Sequence, residues 1–149
     1  VLGLALLRID IDSIDSRLKQ ETGRMARMME LADQQAIFQS QNIGMLILED
    51  SYGFYVLDND KWLAVDDALL KQQTFDEDME IIVTIDGAEV KLDASLPEKP
   101  VPQIIFSSSG EWTAFEILFG QQDNNDITYV LNNIETGLLE IQREANALR

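Results

Sequence analysis

The first part of the chain carries its apolar side chains at the spacing of an α-helix. Ser13 or Ser16 can cap the start of this segment, and the pattern continues to about residue 40. It predicts a helix over about 13–40 that buries one face. Its methionines could form an adaptable binding surface, but we interpret the stripe as the face that packs on a sheet. The stripe consists of Ile14, Leu18, Met25, Met29, Ala32 and Ala36.

After residue 42 the apolar positions alternate with polar ones, which is the period of β-strands. Turn residues separate these runs, and Asp86-Gly87 between two alternating runs favours a type I′ hairpin. The acidic segment 66–78 predicts a loop with a short helical turn, and the prolines within 93–102 predict an extended segment. Short strands are predicted at 43–49, 52–57, 61–65, 79–85, 88–92, 101–106, 112–119, 127–132 and 138–142.

The clearest β pattern begins at an apolar run, 101–106. Serine and glycine turn residues follow at 107–110, and aromatic and β-branched residues resume at 112–119. Alternation gives the second strand one apolar face. The core hairpin that we expect here is built on Phe106, Phe115, Ile117 and Phe119.

Together these elements predict an α+β fold. One long N-terminal helix would pack on antiparallel β-sheets, which would form a β-sandwich of short hairpins. The sheet is the partner on which the helix stripe can be buried. A chain of 149 residues is long enough for one domain with a substantial core.

The run at 1–7 is apolar throughout, and Arg8 follows it. A bilayer needs about 20 such residues, so this run is too short to cross one alone. It either packs on the core or is the end of a longer hydrophobic helix. We favour the second interpretation, in which 1–12 is an anchor remnant with a loosened joint and 13–149 is a single globular domain. The anchor remnant is formed by Val1, Leu2, Leu4, Leu6 and Leu7.

Composition narrows the classes of function. The net charge is −16, which repels nucleic-acid phosphates and suits basic partners. The chain has no cysteine and no histidine. Thiolate chemistry is therefore excluded, and the commonest general base and metal ligand are missing. A serine at 107–109 has no histidine to activate it.

The remaining candidates for chemistry are acidic turns and tryptophans. Asp58-Asn59-Asp60 begins like a calcium loop, but Trp62 stands where the next oxygen ligand is needed. We predict no metal site and no cofactor. Two carboxylates can hydrolyse glycosides without histidine, and an exposed Trp62 or Trp112 could stack on sugars. An acid-pair hydrolase and a carbohydrate-binding β-sandwich module therefore stay as alternatives to a structural protein.

One stretch, 102–116, reads Pro-Gln-Ile-Ile-Phe-Ser-Ser-Ser-Gly-Glu-Trp-Thr-Ala-Phe-Glu. It resembles the motif of H-type minor pseudopilins of the type II secretion system (the GspH/FimT family). In that family a Ser/Pro-Gly-Glu turn precedes Thr-Pro-Phe-Glu, and Ala114 stands where the family often has proline. The helix segment 24–37 and the start of the sheet at 41–44 resemble the family as well. The resemblance extends over about 18–141.

The resemblance implies a pilin-like, non-enzymatic protein of the inner membrane of a Gram-negative bacterium, with a single span and a periplasmic domain. The span would be the missing N-terminal helix, and methylation is a further family property. Its implied partners are other minor and major pseudopilins at the tip of the pseudopilus, the inner-membrane secretion platform and secreted exoproteins. The assembly would help extrude folded proteins across the outer membrane. Because related pilins share the motifs, a minor type IV pilin stays as an alternative.

Overall fold

The chain forms one long helix followed by ten strands. The computed structural model describes residues 2–145, with side chains from residue 11 onward. Helix α1 spans Leu2–Gln39, and a short 3-10 helix spans Ala68–Leu70. The strands are β1 (Ile43–Ile47), β2 (Ser51–Asp58), β3 (Lys61–Ala64), β4 (Gln73–Thr74), β5 (Met79–Ile85), β6 (Ala88–Val90), β7 (Ile104–Phe106), β8 (Phe115–Gln121), β9 (Asn124–Asn132) and β10 (Glu140–Ala145).

Helix α1 is continuous through the segment where we expected a joint. It begins at Leu2 rather than near Ser13, so the loosened joint at 9–12 is wrong and Ser16 lies inside the helix. The alternation Ile-Asp-Ile-Asp is short and contains no glycine or proline. Helix propagation therefore continues through it once the flanking turns are formed.

The helix ends in a Schellman motif. Ser40 adopts a left-handed conformation with φ of 54°. Its amide donates to the Ile37 carbonyl (3.3 Å), and the amide of Gln41 donates to the Ala36 carbonyl (3.1 Å). Carbonyls without a partner inside the helix are thereby satisfied, and the chain turns directly into β1.

The predicted anchor remnant falls largely outside what can be described. Val1 lies outside the described residues, and so do the side chains of Leu2, Leu4, Leu6 and Leu7. Along the described part of the chain, no helix contains an apolar stretch of the length that spans a bilayer. The division into an anchor remnant and a globular domain stays a prediction.

The strands form two antiparallel sheets. The first has the order β3-β2-β1-β7, with β4 also paired to β2, and the second has the order β10-β9-β8-β5-β6. The Asp86-Gly87 turn joins β5 to β6 with both residues at positive φ (50° and 83°), as a type I′ turn requires. The α+β architecture is confirmed.

The hairpin predicted between 101 and 119 is wrong in its pairing. Strand β7 pairs with β1 in the first sheet, whereas β8 pairs with β5 and β9 in the second. A single bridge, Phe106 to Trp112, joins the two arms. The two strands therefore belong to different sheets: β7 takes its partner β1 from a distant part of the chain, and β8 pairs with the following strand β9 and with β5.

Both sheets turn an apolar face towards α1. In the first sheet, Met45 lies opposite Phe54 and Ile104 on paired strands, and all three side chains are buried. In the second sheet, Ile117 lies opposite Val83 and Leu131, which are also buried. The helix therefore closes one core that extends over two sheets.

The outer face of β1 is covered as well. Pro102 and Trp62 lie directly over Gly44, so that a Cβ at this glycine would stand 2.5 Å from the Pro102 side chain. The side chain of Gln103 pairs with the backbone of Ile47 through two hydrogen bonds of 2.8 Å. The proline-containing segment therefore packs on the first sheet.

Replacing Gly44 with alanine should destabilise the fold by about 1–3 kcal/mol, because the new methyl group would force Pro102 away from the sheet. Gly53 is the matched control, since it lies in the neighbouring strand and its Cβ would meet only ordinary contacts at 3.8 Å. Gly53→Ala should be neutral or stabilising by up to about 1 kcal/mol. Urea unfolding measures both, and equal stability of the two variants would contradict this account of the glycine.

Candidate functional site

The stripe predicted from the sequence faces the two sheets. Leu18, Met25, Met29, Ala32 and Ala36 are fully buried, and Ile14 is partly buried. They share one core with Phe106, Phe115, Ile117 and Phe119, which are also fully buried although they do not form one hairpin. The opposite side of the helix remains exposed.

The Asp15 carboxylate on α1 accepts hydrogen bonds from the second sheet. The Tyr129 hydroxyl donates to Asp15 Oδ1 over 2.7 Å, and Arg143 Nε donates to the same oxygen over 2.9 Å. These two bonds, that of Arg143 foremost, hold the pKa of Asp15 below its ordinary value. Burial and the bond to Asp15 raise the pKa of Tyr129. The contact joins α1 to β9 and β10.

A second carboxylate on the same side of the helix holds the turn before β8. Trp112 Nε1 donates to Asp33 Oδ1 over 2.7 Å. The Trp112 ring stands edge-on to Phe106, with ring centroids 4.6 Å apart and an interplanar angle of 87°. Trp112 is therefore fixed by a polar contact to the helix and an aromatic contact to the first sheet.

The serine turn is tied into the scaffold. The Ser107 amide donates to the Glu111 carbonyl (2.8 Å), and the Ser108 amide donates to Asn42 Oδ1 (2.9 Å). The Ser107 and Ser109 hydroxyls are 2.9 Å apart and bond each other. Gly110 has φ of 92°, which favours glycine in this turn. These bonds give the serines a structural role in the turn.

A groove of about 620 Å³ runs between this turn and the helix. Glu30 and Asp33 line it on the helix side, and Leu138 and Leu139 line it on the loop before β10. Trp112 forms part of its wall. Sequence reasoning missed this groove, because its walls come from three distant segments and none has an unusual motif.

Elsewhere on α1, Arg24 and Glu21 form a partly buried ion pair. Burial lowers the pKa of Arg24, but its hydrogen bond and ion pair with Glu21, which is itself buried, raise that pKa above its ordinary value.

Tyr52 is a buried residue of the first sheet. Its hydroxyl donates to the Met28 sulfur over 3.6 Å. Burial raises the pKa of Tyr52 to about 12, so this phenol stays neutral and acts as a core residue.

The tryptophans do not form a platform for sugars. Trp62 packs over Gly44 on the outer face of the first sheet and is partly buried. Trp112 is held by Phe106 and Asp33. Both rings are therefore engaged in packing, and the carbohydrate-binding alternative loses the observation that motivated it.

The acidic residues were also candidates for a metal site. Among the side chains that the structure describes, from residue 11 to 145, no group of three or more acidic residues is arranged to hold a metal ion. The turn at Asp58-Asn59-Asp60 joins β2 to β3 with Asn59 and Asp60 at positive φ. The pKa values of Asp15 and Asp67 lie below the ordinary range, whereas the general acid of a glycosidase needs a raised pKa.

Comparison with known proteins identifies the same family as the sequence motif. A family model described as type II transport protein GspH matches residues 21–135, which is well over half of the chain. Among curated proteins, no match was found. The resemblance to H-type minor pseudopilins is therefore confirmed.

Solved structures of that family share the fold. A structure of the minor pseudopilin EpsH from the type 2 secretion system of Vibrio cholerae is 26% identical, covers 84% of this chain and 94% of its own, and has a TM-score of 0.71. A crystal structure of EpsH from the same organism is 22% identical with coverage of 89% and 98% and a TM-score of 0.73. The solution structure of E. coli GspH is 16% identical with coverage of 87% and 89% and a TM-score of 0.62.

Asp15→Asn should cost about 0.5–1 kcal/mol at neutral pH, since a half-exposed charged hydrogen bond is weakened. The folded pKa of Asp15 lies below its ordinary value of 3.8. Its contribution is therefore complete above about pH 5 and is lost as the pH falls through 3.8 towards the folded value. Thermal unfolding of both proteins should converge on acidification. The exposed Asp12 supplies the control Asp12→Asn, and a deficit that is independent of pH would contradict this origin.

Trp112→Phe should cost about 1–2 kcal/mol, because it removes the Nε1 donor to Asp33 while keeping an aromatic ring against Phe106. Trp62→Phe is the matched change at a tryptophan that packs over Gly44 on the outer face of the first sheet, and it should cost less. Urea unfolding gives both values. A larger loss for Trp62→Phe would show that the Asp33 bond contributes little.

Proposed function

The chain belongs to the GspH family of type II transport proteins and has the role of a minor pseudopilin in type II secretion, and we propose that it fulfils this role purely as an assembly subunit. The observation that carries the proposal is the continuous helix Leu2–Gln39, which packs one face on two sheets and leaves the other exposed. A helix of this kind can pack laterally against the helices of neighbouring subunits.

The exposed side of the helix suits such packing. Lys19, Gln20, Arg27 and Gln34 are exposed along it, and Gly23 lies half-buried among them. Gly23 has no side chain, and the nearest atom to a Cβ there would be the end of Arg27 at 3.3 Å. This surface carries polar donors and acceptors together with Phe38, which is 90% exposed, so it can make both polar and apolar contacts with neighbouring helices. This supports other minor and major pseudopilins as the partners.

A non-enzymatic role agrees with the chemistry of the chain. It has no histidine or cysteine, and the serine hydroxyls of the turn bond each other. The subunit would be held at the inner membrane by a single hydrophobic helix, with its sheets in the periplasm. It would assemble at the tip of a short pseudopilus on the inner-membrane secretion platform and help extrude folded exoproteins across the outer membrane.

Deleting the gene in the source bacterium should lower the amount of type II exoproteins in the medium by about tenfold or more, with accumulation in the periplasm, because a step of export is lost. A plasmid copy should restore export. Met29→Asp should fail to restore it, since Met29 is fully buried, whereas Gln34→Asp on the exposed side of the same helix should restore it.

Three results would contradict the proposal. Unchanged export after deletion would remove the secretion role, and loss of surface pili with normal export would favour a minor type IV pilin. Co-purification of the tagged protein with the other minor pseudopilins from detergent extracts provides an independent measure of assembly. If the tagged protein does not co-purify with the other minor pseudopilins from otherwise wild-type cells, that result would count against the assembly role.

A further inference from the structure

We propose that the groove between α1 and the loop 133–139 is the docking site for a basic segment of a neighbouring protein, anchored by an apolar side chain. The inference deepens the proposed function and rests on it, because it names the chemistry of the partner at one surface. The groove is open along the side of the helix and has a volume of about 620 Å³, which is enough for several side chains of an extended or helical segment.

The apolar part of the groove is already exposed. Leu138 is 73% exposed, although it is a large aliphatic side chain, and Leu139 beside it is partly buried. Trp112 adds an aromatic wall whose position is fixed by Asp33 and Phe106. A rigid aromatic residue next to an exposed leucine is the kind of anchor site at which a few contacts dominate binding.

The charged part of the groove has one sign. Glu30, Asp33 and Glu111 line it, and among its described lining residues none is basic. The pairing of Asp33 with Trp112 leaves Glu30 and Glu111 as exposed carboxylates. A lysine or arginine on the incoming segment would find complementary charge here, whereas an acidic segment would be repelled.

The shape of the groove depends on glycine in two walls. Gly110 has φ of 92° and Gly137 has φ of 75°. A Cβ at Gly137 would meet nothing within 4 Å, and one at Gly110 would touch only Ile37, at 3.6 Å. Both walls therefore turn through a positive φ that favours glycine, so a side chain at either position would strain the backbone.

The net charge of the chain indicates which class of partner can bind in the groove. A second copy carries the same net charge of −16 and would be repelled at long range. Nucleic acid and anionic lipid are disfavoured for the same reason. A protein segment that combines a basic side chain with an apolar one satisfies both parts of the groove.

The test uses the full chain and a defined peptide, acetyl-Lys-Leu-Lys-Ala-Leu-Lys-Lys-Leu-amide. Titration is followed by the two indole N–H signals in nitrogen–proton NMR spectra, which Trp112→Phe assigns. The Trp112 signal and the amides of 137–139 should shift together, with the Trp62 signal unchanged. For the same peptide with glutamate in place of lysine, the affinity should be lower by a factor of about ten or more. Raising the salt from about 0.05 to about 0.3 M should weaken binding of the basic peptide.

The variants separate the groove from the general acidity of the protein. Leu138→Ser should weaken binding about tenfold, because it removes the apolar anchor. Leu138→Glu should weaken binding less, because its added carboxylate attracts the basic peptide. Leu96→Glu is the matched control, since Leu96 is also exposed (56%) and lies outside the residues that line the groove. It should leave binding unchanged.

Shifts spread over the acidic strands rather than the groove, or equal affinity for Leu138→Glu and Leu96→Glu, would overturn the proposal. So would the absence of any shift with the basic peptide. These results concern the groove alone, whereas loss of exoprotein export and of co-purification concern the proposed function. Export that is unchanged by deletion of the gene, while the peptide still binds, would leave the groove as a docking site and reject the secretion role.

Discussion

The structure depends on one constraint, which is that a single helix face must cover two sheets. The strands described here divide into two sheets with no strand in common, and α1 contacts both β1 and β9. Leu18, Met25 and Met29 are fully buried along this face. Each sheet has an apolar face that would be exposed without the helix, so burial against α1 stabilises their arrangement.

The passage from β7 to β8, which we call the seam, crosses from one sheet to the other. Side-chain hydrogen bonds there satisfy backbone groups that have no strand partner. Thr113 exchanges hydrogen bonds with the backbone of Ile105. Asn133 then accepts from the Phe115 amide (3.0 Å) and donates to the Thr113 carbonyl (3.1 Å). Because Asn133 is buried, these bonds satisfy backbone groups that water cannot reach. The seam is thus a specific crossing between sheets rather than a hairpin.

Local features of this chain were predictable, and long-range ones were not. The Asp86-Gly87 hairpin follows from a turn and its two neighbouring runs, all within a short segment. The partner of β7 is β1, far back in the chain, so alternation at 104–106 predicts a strand but not its sheet. The alternation at 9–12 is an exception among local features: it is too short to stop helix propagation, so the helix continues where a break was expected. The sequence suggested Asp15 only as a favourable charge at a helix start and did not distinguish Asp33 among 27 acidic residues, because the donors of both lie more than seventy residues away.

These two carboxylates explain how the apolar face of α1 is held in one orientation on the sheets. Methionine and alanine dominate the stripe towards its C-terminal end, and such a surface tolerates sliding and rotation at low cost. Asp15 and Asp33 lie on the same flank, about 27 Å apart along the axis at the usual rise per residue, and each accepts a hydrogen bond of 2.7 Å from the strand domain. Rotation of the helix would break both bonds at once. The apolar stripe therefore supplies the affinity between helix and sheets, while the two carboxylates select the orientation, and the groove beside Trp112 exists only in that orientation.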